Sequence, residues 1–263
     1  MLLNQYKNKI LTSVTDINRM MSNDQYMISI NRSTEDYPCV ILKGHSPGNF
    51  QDYFVDACGD GKEHIIKYLV EHGADVNEVN VDDETPLCCS CRKENEKIVK
   101  YLIKHGADVN KVNGSKETPL HCVCEEGNEK IAKYLIEHGA NIKIVDINGY
   151  SPLFMACKSG NENLVKYLVK LGANVKKISA KRETLLFMAC ESGNENLVKY
   201  LVELGIDITI KNKHGETALF NACKSGNEKR VEYLVEHGAD VKIKNDEGET
   251  LLFLLHEKEE MKI

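Results

Sequence analysis

Apolar residues in this 263-residue chain gather in short clusters with helical spacing, and the clusters return every 33 positions. Leu164, Val165, Leu168 and Val169 form one such cluster, spaced to share one face of a helix. Mostly polar stretches separate the clusters. A glycine keeps the same rhythm at Gly73, Gly106, Gly139, Gly172, Gly205 and Gly238, and a hydroxyl residue at Thr85, Thr118, Ser151, Thr184, Thr217 and Thr250. No gap opens or closes between residues 49 and 263. A fixed period of this length predicts a stacked solenoid, in which each unit buries its apolar face against its neighbours rather than in one central core.

Each period predicts two helices and a loop. A Thr or Ser hydroxyl can accept from the orphan N–H groups of a first turn. The proline that follows Thr85, Thr118 and Ser151 has a preset φ and no N–H to strand. The first helix is short and closes at a glycine in five units, Gly61, Gly127, Gly160, Gly193 and Gly226, a left-handed cap that glycine takes without steric cost. Asn followed by Glu, as in Asn161-Glu162 and Asn194-Glu195, then opens the second helix. The amide caps the first turn and the carboxylate complements the helix dipole. The polar stretch after the second helix is long enough for an extended arm and a tight turn.

The run Thr118-Pro119-Leu120-His121, the Gly-Asn-Glu junctions and His105-Gly106-Ala107-Asp108-Val109-Asn110 resemble the ankyrin repeat. The resemblance covers residues 49–263 and implies an all-α ankyrin-repeat solenoid of stacked helix-turn-helix units with β-hairpin-like loops. Its units fall near 49–80, 81–113, 114–146, 147–179, 180–212 and 213–245, with a partial seventh at 246–263. Several positions depart from the pattern. Leu185, Ala218 and Leu251 replace the proline, and the tip glycine of Gly149, Gly215 and Gly248 is Asp83, Lys116 and Arg182 in other units. Glu94 stands where first helices otherwise end in glycine. A non-glycine residue held in that conformation costs about 1 kcal/mol, so the second unit is expected to be the softest. Units four and five match from Phe154 to Gly172 and Phe187 to Gly205 except at Lys158/Glu191 and Lys170/Glu203, a duplicated frame whose surface charges diverged. Residues 1–48 do not join the period and read as a divergent segment: either a capping unit, expected to be helical, or a short separate module. The charged run from His256 to Glu260 suits a solvated C-terminal cap.

Ten cysteines change the picture only at first sight. Cys88, Cys89, Cys91, His121, Cys122 and Cys124 look like a zinc cluster when read linearly. The period offers packing instead, because Cys58, Cys91, Cys124, Cys157, Cys190 and Cys223 form one column and free Cys behaves as a small hydrophobe. By the resemblance, that column usually carries a small residue such as Ala. Cys88 shares its column with Phe154, Phe187 and Phe220, and Cys89 with Met155 and Met188. Packing is the preferred reading, a metal site in the Cys88–Cys124 region the remote one, and disulfides are not expected in a reducing compartment. His72, His105, His138 and His237 precede the second-helix glycines, where a His can bond the last carbonyls. By the resemblance, His121 supports the loop. Tyr68, Tyr101, Tyr134, Tyr167, Tyr200 and Tyr233 form a column of amphipathic packing positions on the second helix.

A net charge of −6 disfavours nucleic acid or an anionic membrane as partner. No apolar stretch is long enough to span a bilayer, and the segment from Met1 to Lys7 lacks the apolar region of a secretory signal. A cytoplasmic monomer is expected, with nuclear entry left open. The chain has no phosphate loop, nucleophile elbow or His-Glu-x-x-His helix, so neither enzyme activity nor a cofactor is expected.

A binding role is left. By the resemblance, hairpin tips and the exposed ends of first helices form a concave surface that faces a partner protein. The tips here contribute Val81, Asp82 and Glu84; Ser115 and Glu117; Ile147, Asn148 and Tyr150; Lys181 and Glu183; Lys213, His214 and Glu216. The helix ends contribute Arg92 and Lys93, Glu125 and Glu126, Lys158, Glu191 and Lys224. Signs alternate along these ends, which reads either as an ordinary mixed surface or as a charge ruler that sets a partner's register. Tyr150 and Ile147 are the apolar tip residues placed to anchor a contact. The expected function is a non-catalytic protein–protein interaction scaffold or adapter, with a regulatory subunit or substrate recruiter of an enzyme complex as the alternative. The resemblance also makes Asn77 and Asn110 candidates for hydroxylation.

Overall fold

The computed structural model describes residues 50–71 and 73–251, with the backbone of two short segments before them. The rest of residues 1–48, His72 and the charged run after Leu251 lie outside the described residues. β1 (Ile28–Asn31) pairs antiparallel with β2 (Cys39–Leu42), Ile28 opposite Leu42. The helix expected within this segment is therefore not what its described residues form. Ile28-Ser29-Ile30-Asn31 alternates apolar and polar residues, and the second run holds Val40 and Ile41, both strand preferences.

Six helix pairs follow among the described residues: α1 (Phe50–Asp60) with α2 (Glu63–Glu71), α3 (Pro86–Arg92) with α4 (Glu96–Lys104), and α5 (Pro119–Glu126) with α6 (Glu129–Glu137). Then come α7 (Pro152–Ser159) with α8 (Glu162–Lys170), α9 (Leu185–Ser192) with α10 (Glu195–Glu203), and α11 (Ala218–Ser225) with α12 (Glu228–Glu236). Each first helix packs on its own second helix and on the first helix of the next pair, so the first helices form a continuous spine. Phe54, Phe154, Phe187 and Phe220 are buried in it, as is the whole cysteine column from Cys58 to Cys223. The packing role read for that column is what the structure has, and a larger side chain there would force neighbouring helices apart. Burial pushes the thiols of Cys58, Cys91, Cys124, Cys157 and Cys190 above the ordinary cysteine value.

The expected second-helix caps are present. Asn95, Asn128, Asn161, Asn194 and Asn227 each accept from the backbone N–H three residues on. The amide of Asn161 also donates to the carbonyl of Gly127 at 2.7 Å, and that of Asn194 to Gly160 at 2.8 Å, tying each cap to the preceding unit. His105, His138 and His237 bond the carbonyls of Tyr101, Tyr134 and Tyr233 through Nδ1, as expected for capping. The first helices differ from expectation. Thr85 Oγ1 accepts from Cys88 N at 3.0 Å, but Ser151, Thr184 and Thr217 make no side-chain cap. Their first turn tightens, and the N–H three residues on goes to the backbone carbonyl instead, Phe154 N to Ser151 O at 2.8 Å for example.

The tyrosine column does more than pack. Lys100, Lys133, Lys166 and Lys199 each lie over the ring of the next unit's tyrosine, with 5.3, 5.2, 5.2 and 5.7 Å from Nζ to the centroids of Tyr134, Tyr167, Tyr200 and Tyr233. The same lysines pair with a glutamate four residues earlier. Cation–π contacts at such exposed sites contribute about 0.5–1 kcal/mol each, so the second helices are joined in series along the outside of the stack.

Arms and tips complete each unit. Gly114 N donates to Asp83 O, Ile147 N to Ser115 O, Ala180 N to Asn148 O, Lys213 N to Lys181 O and Asp246 N to His214 O, at 2.7 to 3.0 Å. This seam of backbone bonds runs from tip to tip. Every tip turns through a left-handed residue, and where the column lacks glycine the chain accepts the strain: φ is 57° at Asp83, 59° at Lys116 and 64° at Arg182. Glu94, at φ 54°, is the one strained helix end among the described residues, and its side chain accepts from Asn128 Nδ2 where other units offer a carbonyl. Replacing Lys116 by Gly is expected to stabilise the array by about 0.5 kcal/mol, strain relief exceeding the added chain entropy. Gly215→Ala should cost about 1–2 kcal/mol, because a Cβ there would meet Asp246 Oδ1 at 2.5 Å at φ 73°. Chemical denaturation of the two variants checks both signs.

Candidate functional site: the row of tips and first-helix ends

One residue per unit organises each tip, in the column Asn80, Asn113, Asp146, Ser179, Asn212 and Asn245. Its side-chain oxygen accepts from the backbone N–H groups two and four residues on: Asn113 Oδ1 from Ser115 N at 3.0 Å and Glu117 N at 2.9 Å, Asp146 Oδ1 from Asn148 N at 2.9 Å and Tyr150 N at 2.8 Å. The turn is thereby fixed from inside, which presents its outer side chains in one orientation. This column was missed in the sequence because three different residues supply the same acceptor. The signal was the shared 33-residue spacing of Asn, Asp and Ser.

The helix ends are linked to each other. Arg92 Nη2 lies 2.9 Å from Glu84 Oε1 and 3.0 Å from Glu117 Oε2, and Nη1 lies 3.9 Å from Glu125 Oε2. Lys158 Nζ pairs with Glu125 Oε1 at 2.8 Å and Lys224 Nζ with Glu216 Oε1 at 2.6 Å. Lys158 reaches to the preceding unit because its own unit holds Tyr150 where others hold Glu. The alternation of sign is thus partly satisfied within the molecule, and Lys93, Glu126 and Glu191 are the members of the row without an ion pair among the described residues. Burial pushes the Glu117 carboxyl up, but hydrogen bonds from Asn113 and Arg92 outweigh it and hold its pKa below the ordinary glutamate value.

The predicted residues divide by exposure. Val81, Asp82, Lys93, Ser115, Glu126, Ile147, Lys158, Lys181, Glu191, Lys213, His214 and Lys224 are exposed. Glu84, Arg92, Glu117, Glu125, Asn148, Tyr150 and Glu183 are half-buried, and Glu216 is buried. Glu216 is accordingly removed from the face open to a partner; its carboxylate serves Lys224 and Asn212. Tyr150 is also committed inside the array: its ring lies 5.2 Å from that of Phe154 and its hydroxyl donates to Glu183. The apolar residues that do project are Val81, 77% exposed, and Ile147, 58% exposed.

Other candidates fall elsewhere. His121 is buried behind the tips, with Nδ1 at the backbone N–H and hydroxyl of Thr118 and Nε2 at 3.2 Å from Tyr150 O, the loop support expected of it. Cys89 is half-buried, with a thiol pushed up to about 11 by burial. No group of three His, Cys, Asp or Glu residues among those described could hold a metal ion. Asn77 and Asn110 bridge units, Asn77 donating to Gly106 O at 3.0 Å and accepting from Asp108 N at 2.7 Å. Arg230, unmarked by sequence reasoning, occupies a column of Ile98, Ile131, Leu164 and Leu197. It is buried, with Nη1 on Cys190 O and Nη2 2.9 Å from Ser225 Oγ, and so caps the first helix of the unit before. No helix among the described residues is long and apolar enough to cross a membrane.

A spine of first helices, capped second helices and hydrogen-bonded tips defines a helical-repeat solenoid of the interaction-module class. The sequence matches the family model for ankyrin repeats (3 copies) over residues 40–113, 108–179 and 171–245, and the chain belongs to the ankyrin-repeat family. Its fold is similar to the crystal structure of the human ASB11 ankyrin repeat domain, with a TM-score of 0.65 and 27% sequence identity over 80% of this chain and 91% of that one. No curated protein matches the sequence. Ankyrin repeats are in general protein–protein interaction modules.

Arg92→Met is expected to destabilise the array by about 1–2 kcal/mol at neutral pH, since it strips charged hydrogen-bond partners from half-buried carboxylates. A carboxyl with a depressed folded pKa contributes stability above its unfolded value, near 4.5 for Glu117, and loses it as pH falls through the folded value. The difference between variant and wild type should therefore shrink on acidification below that point. Urea melts across this range measure it.

Proposed function

We propose that this chain is a non-catalytic scaffold or adapter that binds a partner protein along its tips and first-helix ends. The observation that carries the reading is the projection of Val81 and Ile147 from turns held rigid by side-chain and seam hydrogen bonds. Exposed apolar residues on a preordered surface contribute binding energy with little ordering cost. Around them Asp82, Lys93, Glu126, Lys158 and Glu191 supply a polar rim that tunes specificity. Tyr150 and Glu216 support this surface from beneath. On this reading the chain acts as a cytoplasmic monomer, without nucleic acid, membrane or cofactor. Recruitment of a protein to an enzyme complex would use the same face, with an enzyme as the second component.

Affinity capture with mass spectrometry, using the full chain as bait, tests the assignment. A partner held by the wild type should be recovered about ten-fold less by a Val81→Asp/Ile147→Asp variant, and equally well by Glu137→Ala on the second-helix side. Equal recovery by all three baits would contradict the proposed surface.

A further inference from the structure

Six cations occupy the arms and tips of the fourth to sixth units: Lys176, Lys177, Lys181, Arg182, Lys211 and Lys213. All are exposed except the half-buried Lys177, and among the described residues none lies within 4.0 Å of a carboxylate. The nearest acids in sequence are already engaged. Glu183 accepts from the Tyr150 hydroxyl, Asp207 from the hydroxyl and N–H of Thr209, and Glu216 from Lys224. The seam bond from Lys213 N to Lys181 O, 2.9 Å, holds two lysines side by side, an arrangement that destabilises paired backbones. Arg182 beside them sits at φ 64°. This corner thus combines like-charge apposition with a strained turn and shows no internal partner to offset either.

We propose that the corner docks an acidic segment of a partner protein in which carboxylates alternate with apolar side chains. The inference rests on the protein-binding reading above and names the chemistry of what binds. Cations without internal partners favour carboxylates, and complementary charge speeds encounter and fixes register. Ile147 and Ile178, 58% and 44% exposed, lie among them and receive the apolar side chains. A nucleic acid fits less well. The basic stretch is bounded along the row by Asp82 and Asp83 at one end and Asp246 and Glu247 at the other, so a continuous phosphate backbone would run onto carboxylates. Its bases would also have no use for isolated aliphatic side chains.

The test titrates the full chain into a short fluorescent peptide of repeated Glu-Glu-Leu triplets at low salt, read by anisotropy. A Lys-Lys-Leu peptide and a single-stranded thymidine oligonucleotide serve as comparisons. The acidic peptide should bind best and weaken with salt. Lys181→Glu/Arg182→Glu/Lys213→Glu should weaken it about ten-fold or more. The milder Lys181→Ala/Lys213→Ala should give a smaller loss, which keeps the result readable if the triple variant unfolds. Unchanged peptide binding in folded variants, or tighter binding of the oligonucleotide, would overturn the inference. The protein-binding role would survive either result if the Val81→Asp/Ile147→Asp bait still loses its partner. Loss of peptide binding on charge reversal, with partner capture indifferent to Val81 and Ile147, would uphold the acidic dock and reject the apolar anchors.

Discussion

Each tip donates a backbone N–H to a carbonyl of the tip before it, and the alignment of the whole stack depends on that contact. Burial along the first-helix spine supplies most of the cohesion, at about 25 cal/mol per Å² of apolar surface, but apolar contact is non-directional. A stack held by burial alone could slide or rotate. The seam bonds contribute only about 1 kcal/mol each, yet they are directional and repeat from Gly114 to Asp246. Buried columns can meet in register because of them, Cys58 to Cys223 on the spine and the lysine–tyrosine contacts outside. The strain accepted at Asp83, Lys116 and Arg182 follows from the same requirement, since a tip that left the left-handed region would break the turn that positions the seam donor.

Charge is arranged in two ways on this frame. Along the helix ends and second helices, cations meet carboxylates of their own or the neighbouring unit. Arg92 joins Glu84 to Glu117, Lys158 joins back to Glu125, and Lys100, Lys133, Lys166 and Lys199 each hold a glutamate and a ring. Such pairs spend their electrostatics inside the molecule. On the tips and arms of the later units the cations have no such partner among the described residues. Apolar Val81 and Ile147 project from the same row. On the proposed binding face the tips are therefore the part with unspent charge and apolar surface, and several of the helix ends brace them.

What could be read from the sequence was whatever a fixed period makes additive. Helix pairs, Asn caps, histidine caps and the buried cysteine column follow from local chemistry repeated in place, and each stands where its column put it. The four left-handed residues other than glycine were legible for the same reason: they occupy glycine columns. Contacts that depend on which residue a neighbouring unit happens to carry were not. Arg92 finds three glutamates in its own and the next unit, whereas Lys158 at the same position finds Tyr150 and turns back to Glu125. Tyr150 looked like an anchor because its column is a surface one, but Phe154 and Glu183 draw it inward. Arg230 is an exception in an aliphatic column that went unmarked, and its target carbonyl on Cys190 lies in the preceding unit. The strand pair before the array carries no period at all, and its local alternation of apolar and polar residues was the one signal that could have replaced the helical expectation.

Hydrogen exchange of backbone amides in the native chain tests the seam most directly. The account predicts that the N–H groups of Gly114, Ile147, Ala180, Lys213 and Asp246 exchange within about ten-fold of the first-helix amides, because opening a tip requires separating units. Exchange of these five amides at the rate of an unstructured peptide, with the helices still protected, would contradict it: the tips would then be free hairpins rather than a fixed row.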